Sequence, residues 1–296
     1  MFKTPIFKGS CTAIVTPFNE NGIDYDKMAE LIDFQYDNGT SAIVVCGTTG
    51  ENATMSRYEH EELIEFTCRH NDGRMKIIAG IGSNDTAKAL GFARCALRCE
   101  ADGVLMVTPY YNKATQSGLI KHFTYVADRV DIPMIVYNVP SRTSVGIKLD
   151  TYIELSKHPN INGVKEASGD FSLFAATRAE CGNDLFIWSG NDDNTVPMMA
   201  LGAKGVISVA ANVVPREMHE LTQLCLKNRF LEAGALQLKL HELIRALFCE
   251  VNPIPVKAAM ELLGLCSGEL RLPLCRMSER HLEQLSHTLE PFRPAV

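Results

Sequence analysis

The chain has 296 residues, of which 46% are hydrophobic and 22% are charged, with 29 Lys and Arg against 35 Asp and Glu. This composition is typical of a folded globular protein and excludes the polar, highly charged class of disordered chains. The net charge of −6 and the lack of a basic block argue against a nucleic-acid partner. No apolar run approaches the ~20 residues of a membrane span, and the N-terminus lacks a signal-peptide core. We therefore predict a cytoplasmic protein that binds neither nucleic acid nor membranes.

The ten cysteines form no CxxC pair, and several lie inside apolar runs, as Cys46 does in AIVVCG. Disulfide frameworks belong to short secreted chains. We predict reduced and mostly buried thiols.

Short apolar segments alternate with segments of helical periodicity. The eight predicted strands are 11–18, 42–47, 76–82, 103–110, 133–139, 162–168, 185–190 and 205–211. The predicted helices between them are 26–38, 56–70, 84–99, 115–129, 148–157, 170–180, 193–200 and 215–227. Ser56 and Glu59 have the spacing of a capping box. Continuous apolar strands joined by helices indicate a parallel sheet.

Eight strand–helix units predict an α/β fold of the TIM (β/α)8 barrel type. The alternative is an open, doubly wound sheet, but the first crossover, TPFNENGIDYDK, has no GxGxxG motif. After residue 227 only helical segments follow, at 229–249, 254–265 and 278–290. We predict a barrel domain over 1–227 and a C-terminal helical domain over 228–296.

Active sites of such barrels form where the strands end. The sixth predicted strand carries Lys165 within GVKEAS, and alternation puts Val164 and Lys165 on opposite faces. Burial lowers the pKa of a lysine, and the neutral amine forms a Schiff base with a carbonyl substrate. The alternative is a structural lysine paired with Glu166 or with another barrel carboxylate.

Three further groups lie at the predicted rim. Tyr137 is able to pass protons to and from an imine, or it is a core aromatic whose hydroxyl bonds the backbone. The GTTGE segment, with Thr48 and Thr49, offers backbone N–H groups to a carboxylate, or it is a plain turn. Arg142 is either a carboxylate-binding group or a solvated loop side chain.

No metal site is predicted, because the eight histidines show no HxH, HxxxH or HExxH spacing. Asp192 and Asp193 are interpreted as candidates for the N-cap of the helix that follows, rather than as metal ligands.

Five motifs occur in chain order at successive strand ends: GTTGE, TPYYN, YNVPSRT, VKEASG and SGNDD. NPIPVKAAMELLG and ELRLPL follow near the C-terminus. With these motifs the whole chain resembles the dihydrodipicolinate synthase family of the pyruvate-dependent class I aldolases. The resemblance implies a barrel that condenses pyruvate with L-aspartate 4-semialdehyde on the diaminopimelate–lysine route. It also implies a homotetramer built from two tight dimers, and a reaction that needs no metal or organic cofactor.

The resemblance also implies roles for single residues. Lys165 matches the Schiff-base lysine and Tyr137 the general acid/base beside it. Thr49 matches the middle of a proton relay, which Tyr111 completes in the neighbouring subunit.

Substrate contacts follow from the same resemblance. Thr48 and Thr49 match residues whose backbone holds the pyruvate carboxylate. Arg142 matches the arginine for the semialdehyde carboxylate. Gly190 and Ile207 match positions that line the site near the pyruvyl group.

Three other functions stay open. N-acetylneuraminate lyase and 2-keto-3-deoxygluconate aldolase share the barrel, the lysine and the tyrosine. They tend to lack the second Thr of GTTGE in this sequence context and the Arg of YNVPSRT. A non-catalytic barrel that binds carboxylates is disfavoured by Lys165, Tyr137 and Tyr111.

Family members that lysine inhibits bind it at the dimer interface, where a glutamate receives its ammonium group. Lys88 matches that glutamate here, and Arg57 matches a histidine of the same site. Two cations repel a cationic ligand, so we predict weak or absent inhibition by lysine. The degenerate effector site would comprise Asn52, Ala53, Arg57, His60, Asn84, Lys88 and Tyr110.

Overall fold

The computed structural model describes residues 3–293, and its central feature is a closed barrel of eight parallel strands. The barrel strands are β1 (Gly9–Ala13), β4 (Ala42–Val45), β5 (Lys76–Gly80), β6 (Gly103–Val107), β7 (Met134–Asn138), β8 (Ile161–Glu166), β9 (Phe186–Ser189) and β10 (Gly205–Ser208). Each strand pairs with the next, and β10 pairs with β1 to close the ring. The predicted TIM barrel is confirmed.

The alternation of side chains along the strands creates two hydrophobic layers. Val136 and Val164 point outward and pack under the helices. Ile135, Tyr137 and Trp188 point inward and fill the barrel. Lys165 lies between Tyr137 and Trp188 in the register of neighbouring strands, so this charged residue belongs to the inner layer.

Helices lie between successive barrel strands and after the last of them. They are α1 (Tyr25–Asp37), α2 (Arg57–Asn71), α3 (Thr86–Arg98), α4 (Gln116–Ala127), α5 (Pro140–Thr143), α6 (Leu149–Ser156), α7 (Phe171–Cys181), α8 (Thr195–Ala200) and α9 (Pro215–Leu226). The predicted capping box of α2 is present, because Ser56 and Glu59 each bond the other's backbone N–H.

Three α-helices follow: α10 (Phe230–Ala246), α11 (Ile254–Leu262) and α12 (Glu279–Leu289), and a 3-10 turn over Glu290–Phe292 comes after them. Leu240, Val256 and Leu285 lie in the same apolar cluster as the outward side of the barrel. The predicted domain boundary after residue 227 stays a prediction.

Two local predictions are wrong. The first strand ends at Ala13 rather than at residue 18, and Phe18–Asn19 (β2) instead pairs antiparallel with Gly22–Ile23 (β3). Neither Asp192 nor Asp193 caps α8, whose N-cap is Asn194 without a side-chain bond.

The physical reason for the second difference is that the carboxylate of Asp192 has other donors. It accepts hydrogen bonds from the backbone N–H groups of Val209 at 3.0 Å and Ala210 at 3.1 Å. The buried Asp192 carboxylate therefore links the end of β9 to the end of β10.

The opposite end of the barrel is closed by the N-terminal segment. The Lys3 ammonium donates to the carbonyls of Ser156, Ile161 and Asp184 at 2.6 to 2.8 Å. Phe7 stacks on Trp188 inside the barrel, with ring centroids 5.1 Å apart.

Candidate active site

Lys165 is a buried lysine without an anionic partner. Only 5% of the residue is exposed, and its ammonium forms no ion pair with any residue from 3 to 293. Glu166 points to the other face, where it accepts hydrogen bonds from Tyr152 at 2.6 Å and from Asn138. The structural alternative of a Lys165–Glu166 pair is therefore wrong, because strand alternation separates the two side chains.

Burial lowers the pKa of Lys165 to about 8, against partial opposition from the neighbouring Cys11 and Asp192. At pH 7 about a tenth of the amine is then neutral, far more than for an ordinary lysine. The side chain is thus suited to act as a nucleophile.

Most of the predicted site residues line one cavity, of about 150 Å³, at the C-terminal rim of the barrel. They come from four strand ends and are Thr48, Thr49, Tyr137, Arg142, Lys165 and Gly190. This position agrees with the general location of active sites in this fold.

Tyr137 lies beside the amine of Lys165, whose nitrogen is 4.5 Å from the centre of the tyrosine ring. Burial raises the pKa of Tyr137 to about 12, so the phenol is protonated at neutral pH. Its hydroxyl makes no hydrogen bond with a described residue, so the alternative of a core tyrosine tied to the backbone is wrong. A protonated phenol next to an amine is able to exchange protons with it.

Thr48 and Thr49 form the turn that follows β4. The backbone N–H groups of both residues donate to no residue in the described part of the chain. The turn is closed by bonds from Gly50 to Gly47 and from Glu51 to Thr48. Two unpaired N–H groups beside Lys165 are suited to an anionic group such as a carboxylate.

This turn is fixed by a buried ion pair that the sequence analysis missed. The Lys257 ammonium on α11 donates to Glu51 at 2.8 Å and to the Thr16 carbonyl at 3.0 Å. Both charged side chains are essentially inaccessible to solvent. Burial lowers the pKa of Lys257, while Glu51 opposes that effect.

The structure has no room for a side chain at Gly190. A Cβ atom there would lie 2.6 Å from the Cβ of Ala167 and 3.2 Å from Cε of Lys165. The absence of a side chain leaves room for Lys165 to reach the cavity.

Two predicted residues do not line this cavity. Ile207 is fully buried inside the barrel, and Val209 lines the cavity in its place. Tyr111 is 91% exposed and extends away from its own chain.

Arg142 is exposed at the cavity mouth, where its guanidinium approaches the Asn252 carbonyl at 3.4 Å.

A second, more open cavity of about 480 Å³ lies between α2 and α3. Its lining includes all seven residues predicted for the degenerate effector site: Asn52, Ala53, Arg57, His60, Asn84, Lys88 and Tyr110. The lining contains two cations and no carboxylate. Burial lowers the pKa of His60 to about 4, so this ring is neutral at pH 7.

Most of the cysteines are buried, as predicted. No disulfide is formed within residues 3–293. Cys249 and Cys275 are the exposed ones. The same residues contain no cluster of three or more His, Cys, Asp or Glu suited to a metal ion. No helix among them is both long and apolar enough to cross a membrane.

Comparisons with known proteins agree with this geometry. The model of the dihydrodipicolinate synthetase family matches residues 6–291. A 4-hydroxy-tetrahydrodipicolinate synthase of Thermoanaerobacter sp. (strain X514) is 51% identical over 289 residues, covering 97% of either chain.

Solved structures show the same likeness. Dihydrodipicolinate synthase from Aquifex aeolicus has a TM-score of 0.95 and 47% identity, covering 97% of this chain and 98% of the other. The enzyme from Cyanidioschyzon merolae, solved with lysine bound, has a TM-score of 0.93 and 37% identity, covering 97% and 99%.

A closed parallel barrel with a buried lysine at its rim, unpaired among residues 3–293, agrees with these relatives, and the chain is a Schiff-base, class I aldolase-type lyase. The chain belongs to the dihydrodipicolinate synthetase family.

Proposed function

We propose that Lys165 binds pyruvate as a Schiff base during the condensation with L-aspartate 4-semialdehyde. This condensation is the activity of the chain as a member of its family, and it serves diaminopimelate and lysine biosynthesis. The observation that carries the proposal is the buried Lys165 amine, which has no ion pair among the described residues and faces Tyr137 in the cavity at the barrel rim.

The reaction begins when the neutral Lys165 amine attacks the ketone carbon of pyruvate and water leaves. The resulting imine withdraws electrons and makes the pyruvate methyl group acidic. Loss of a methyl proton gives an enamine, whose carbon forms a bond to the aldehyde carbon while the aldehyde oxygen takes up a proton. The amine of the second substrate then attacks the imine carbon, closes the ring and releases Lys165.

The remaining residues bind substrates and move these protons. The free N–H groups of Thr48 and Thr49 hold the pyruvate carboxylate. Arg142, exposed at the mouth, receives the carboxylate of the semialdehyde. Tyr137 acts as general acid and base, and Thr49 carries the proton onward. Gly190 leaves room for the pyruvyl group.

The relay is completed by Tyr111 of a second copy of this chain. Tyr111 is exposed on its own chain. An apolar cavity of about 210 Å³ has Leu105, Val107 and Tyr137 in its lining. An aromatic side chain from a partner suits such a cavity. We extend this to a cytoplasmic homotetramer of two tight dimers, and sedimentation as a monomer at assay concentration would contradict the assembly.

Borohydride trapping tests the proposed nucleophile. Pyruvate and borohydride together should fix a reduced adduct on Lys165 alone, located by peptide mass mapping. The trapping rate should rise from pH 6.5 to 8.5, because the Lys165 pKa is about 8 and only the neutral amine reacts. An adduct on another lysine, or none, would refute the proposal. Cleavage of N-acetylneuraminate in place of the condensation would assign a different aldolase activity.

We also propose that lysine inhibits this enzyme weakly or not at all. Arg57 is paired with Glu61 at 2.7 Å, so the positive charge of the cavity between α2 and α3 comes mainly from Lys88. Lys88 repels the lysine ammonium by roughly 1 to 4 kcal/mol at contact distance. Lysine should leave the rate unchanged at submillimolar concentration. Lys88→Glu should introduce inhibition, whereas Lys113→Glu, outside the cavity, should not. Half inhibition of the native enzyme by submillimolar lysine would contradict this.

A further inference from the structure

The turn that contains Thr48 and Thr49 has strained backbone at both of its ends. Cys46 and Glu51 flank the turn, and their φ angles of 55° and 56° both lie in the left-handed region. This region is costly for residues other than glycine and persists only where surrounding contacts hold it. The contacts of the two flanking residues therefore decide whether the turn keeps its conformation.

The Glu51 carboxylate holds the second end of the turn. One of its oxygens accepts a hydrogen bond of 2.8 Å from the Lys257 ammonium, and the other accepts one of 3.1 Å from the backbone N–H of Arg271. The Glu51 and Lys257 side chains are both buried. Lys257 also donates to the Thr16 carbonyl at 3.0 Å, and the Thr16 hydroxyl donates to the Gly50 carbonyl at 2.8 Å. The end of the turn is thus fixed from two directions.

The two donors to Glu51 share one aromatic ring. The Lys257 ammonium lies 4.4 Å from the centre of the Phe18 ring, and the guanidinium carbon of Arg271 lies 4.3 Å from the same centre. Both distances are within the range of cation–π contacts. The Arg271 guanidinium also forms an ion pair with Glu59 at the start of α2. These contacts fix the donors relative to the barrel, so they fix the Glu51 carboxylate as well.

The conformation of the turn decides where its free N–H groups lie. The backbone N–H groups of Thr48 and Thr49 donate to no residue from 3 to 293, and both residues line the cavity of Lys165. The side-chain amide of Asn252 lies 2.9 Å from the Thr49 hydroxyl and supports the same turn. A change of φ at Glu51 rotates the turn relative to the chain that follows it. Such a rotation moves both N–H groups away from their present positions.

We propose that Glu51 is a positioning residue: its buried ion pair holds the turn so that the N–H groups of Thr48 and Thr49 face the pyruvate carboxylate. Glu51 does not line the cavity and touches no reacting atom in this role. The proposal rests on the proposed function of these N–H groups in pyruvate binding. Loss of the Glu51 carboxylate releases the left-handed backbone and lowers the affinity for pyruvate.

A purely electrostatic effect of the ion pair would give opposite results for its two members. Glu51→Ala removes an anion and leaves the Lys257 cation, which attracts the pyruvate carboxylate. Lys257→Met removes the cation and leaves an anion, which repels the same carboxylate. If the pair acts through the backbone of the turn, both substitutions weaken pyruvate binding.

The pyruvate concentration that gives half-maximal borohydride trapping on Lys165 measures this binding. In Glu51→Ala we expect it to rise about 10- to 100-fold, the scale of one lost hydrogen bond to a charged group. Lys257→Met should raise it as well. The KM for the semialdehyde should change less than about 3-fold, because Arg142 belongs to a different loop. An unchanged or lower pyruvate concentration in Glu51→Ala overturns the proposal.

Glycine at position 51 tests the role of the strained backbone. Glycine adopts a left-handed φ without a steric cost, whereas alanine does not. Both replacements lack the carboxylate. Glu51→Gly should therefore bind pyruvate at least about 3-fold more tightly than Glu51→Ala. Equal binding by the two variants would mean that the carboxylate does not act by holding this φ, and it overturns the proposal.

A general loss of stability is separated by Lys3→Met. The Lys3 ammonium donates to three backbone carbonyls at the opposite end of the barrel, so its loss should lower the thermal midpoint. Pyruvate binding per folded enzyme should stay native in this variant. If Lys3→Met weakens pyruvate binding as much as Glu51→Ala does, the effect of Glu51 is one of stability and the proposal fails.

Two further outcomes are kept apart. If Glu51→Ala does not fold, Glu51→Gln replaces it, because the amide keeps an acceptor for the Arg271 N–H but loses the charge. A smaller rise in the pyruvate concentration is then expected, and an unchanged value overturns the proposal. A native enzyme that forms no adduct on Lys165 refutes the proposed function itself. A native adduct with unaltered pyruvate binding in the Glu51 variants refutes only the positioning role.

Discussion

Replacement of Lys165 by methionine should lower the condensation rate at least ~10³-fold, the scale on which loss of a nucleophile acts. Methionine has a similar length but cannot form an imine. The thermal midpoint should not fall, because the Lys165 side chain is buried without an ion partner among the described residues and an apolar replacement removes that cost. Initial rates with both substrates and a thermal melt of the same preparation check the two expectations.

Lys165→Arg is the control variant that keeps the positive charge of Lys165. Arginine keeps a cation in the cavity but does not lose its proton in the working range, so it should be as inactive as methionine. Lys157→Met, at an exposed lysine on the outside of the barrel, should keep the native rate. A Lys165→Met rate above ~1% of native would place the nucleophile elsewhere.

Replacement of Lys257 by methionine should be the most destabilising of the single changes considered. It leaves the Glu51 carboxylate buried without its cation, and breaking a buried ion pair on one side costs roughly 3–5 kcal/mol. The backbone N–H of Arg271 still donates to Glu51 at 3.1 Å, but one bond does not replace the charge. Urea unfolding followed by the fluorescence of Trp188, the single tryptophan, measures the loss.

Two further variants serve as comparisons for the Lys257→Met measurement. Removing both charges, as Glu51→Gln with Lys257→Met, should recover part of the stability, because no unpaired charge remains. Lys157→Met breaks an exposed pair with Glu154 and should cost less than ~1 kcal/mol. If Lys257→Met costs no more than Lys157→Met, the buried pair does not stabilise the fold.

The barrel and its lysine were predictable for local reasons. Strands buried on both faces consist of continuous apolar runs, and helices between them fix a parallel order. Lys165 stood out because a charge inside such a run is costly unless it has a function. The motif order then identified Tyr137, Thr48, Thr49 and Arg142 at strand ends on the same rim of the barrel.

The missed features depend on contacts that no local pattern encodes. Asn252 with Thr49, and Lys257 with Glu51, are separated by 203 and 206 positions. Asp192 has the spacing of a helix cap, but its carboxylate accepts from backbone N–H groups of the two residues that follow β10. Ile207 is on the predicted strand, yet its side chain lies inside the barrel rather than on the cavity wall.

The contacts of Asn252 and Lys257 also bear on protein synthesis. All eight barrel strands end before residue 209, so a growing chain contains the residues of every barrel strand while it still lacks the groups that fix the Thr49 turn. A product that stops before residue 252 therefore contains Lys165 and Tyr137 without the side chains that hold Thr49 and Glu51. Translation has to pass Lys257 before a newly made subunit has a complete catalytic turn.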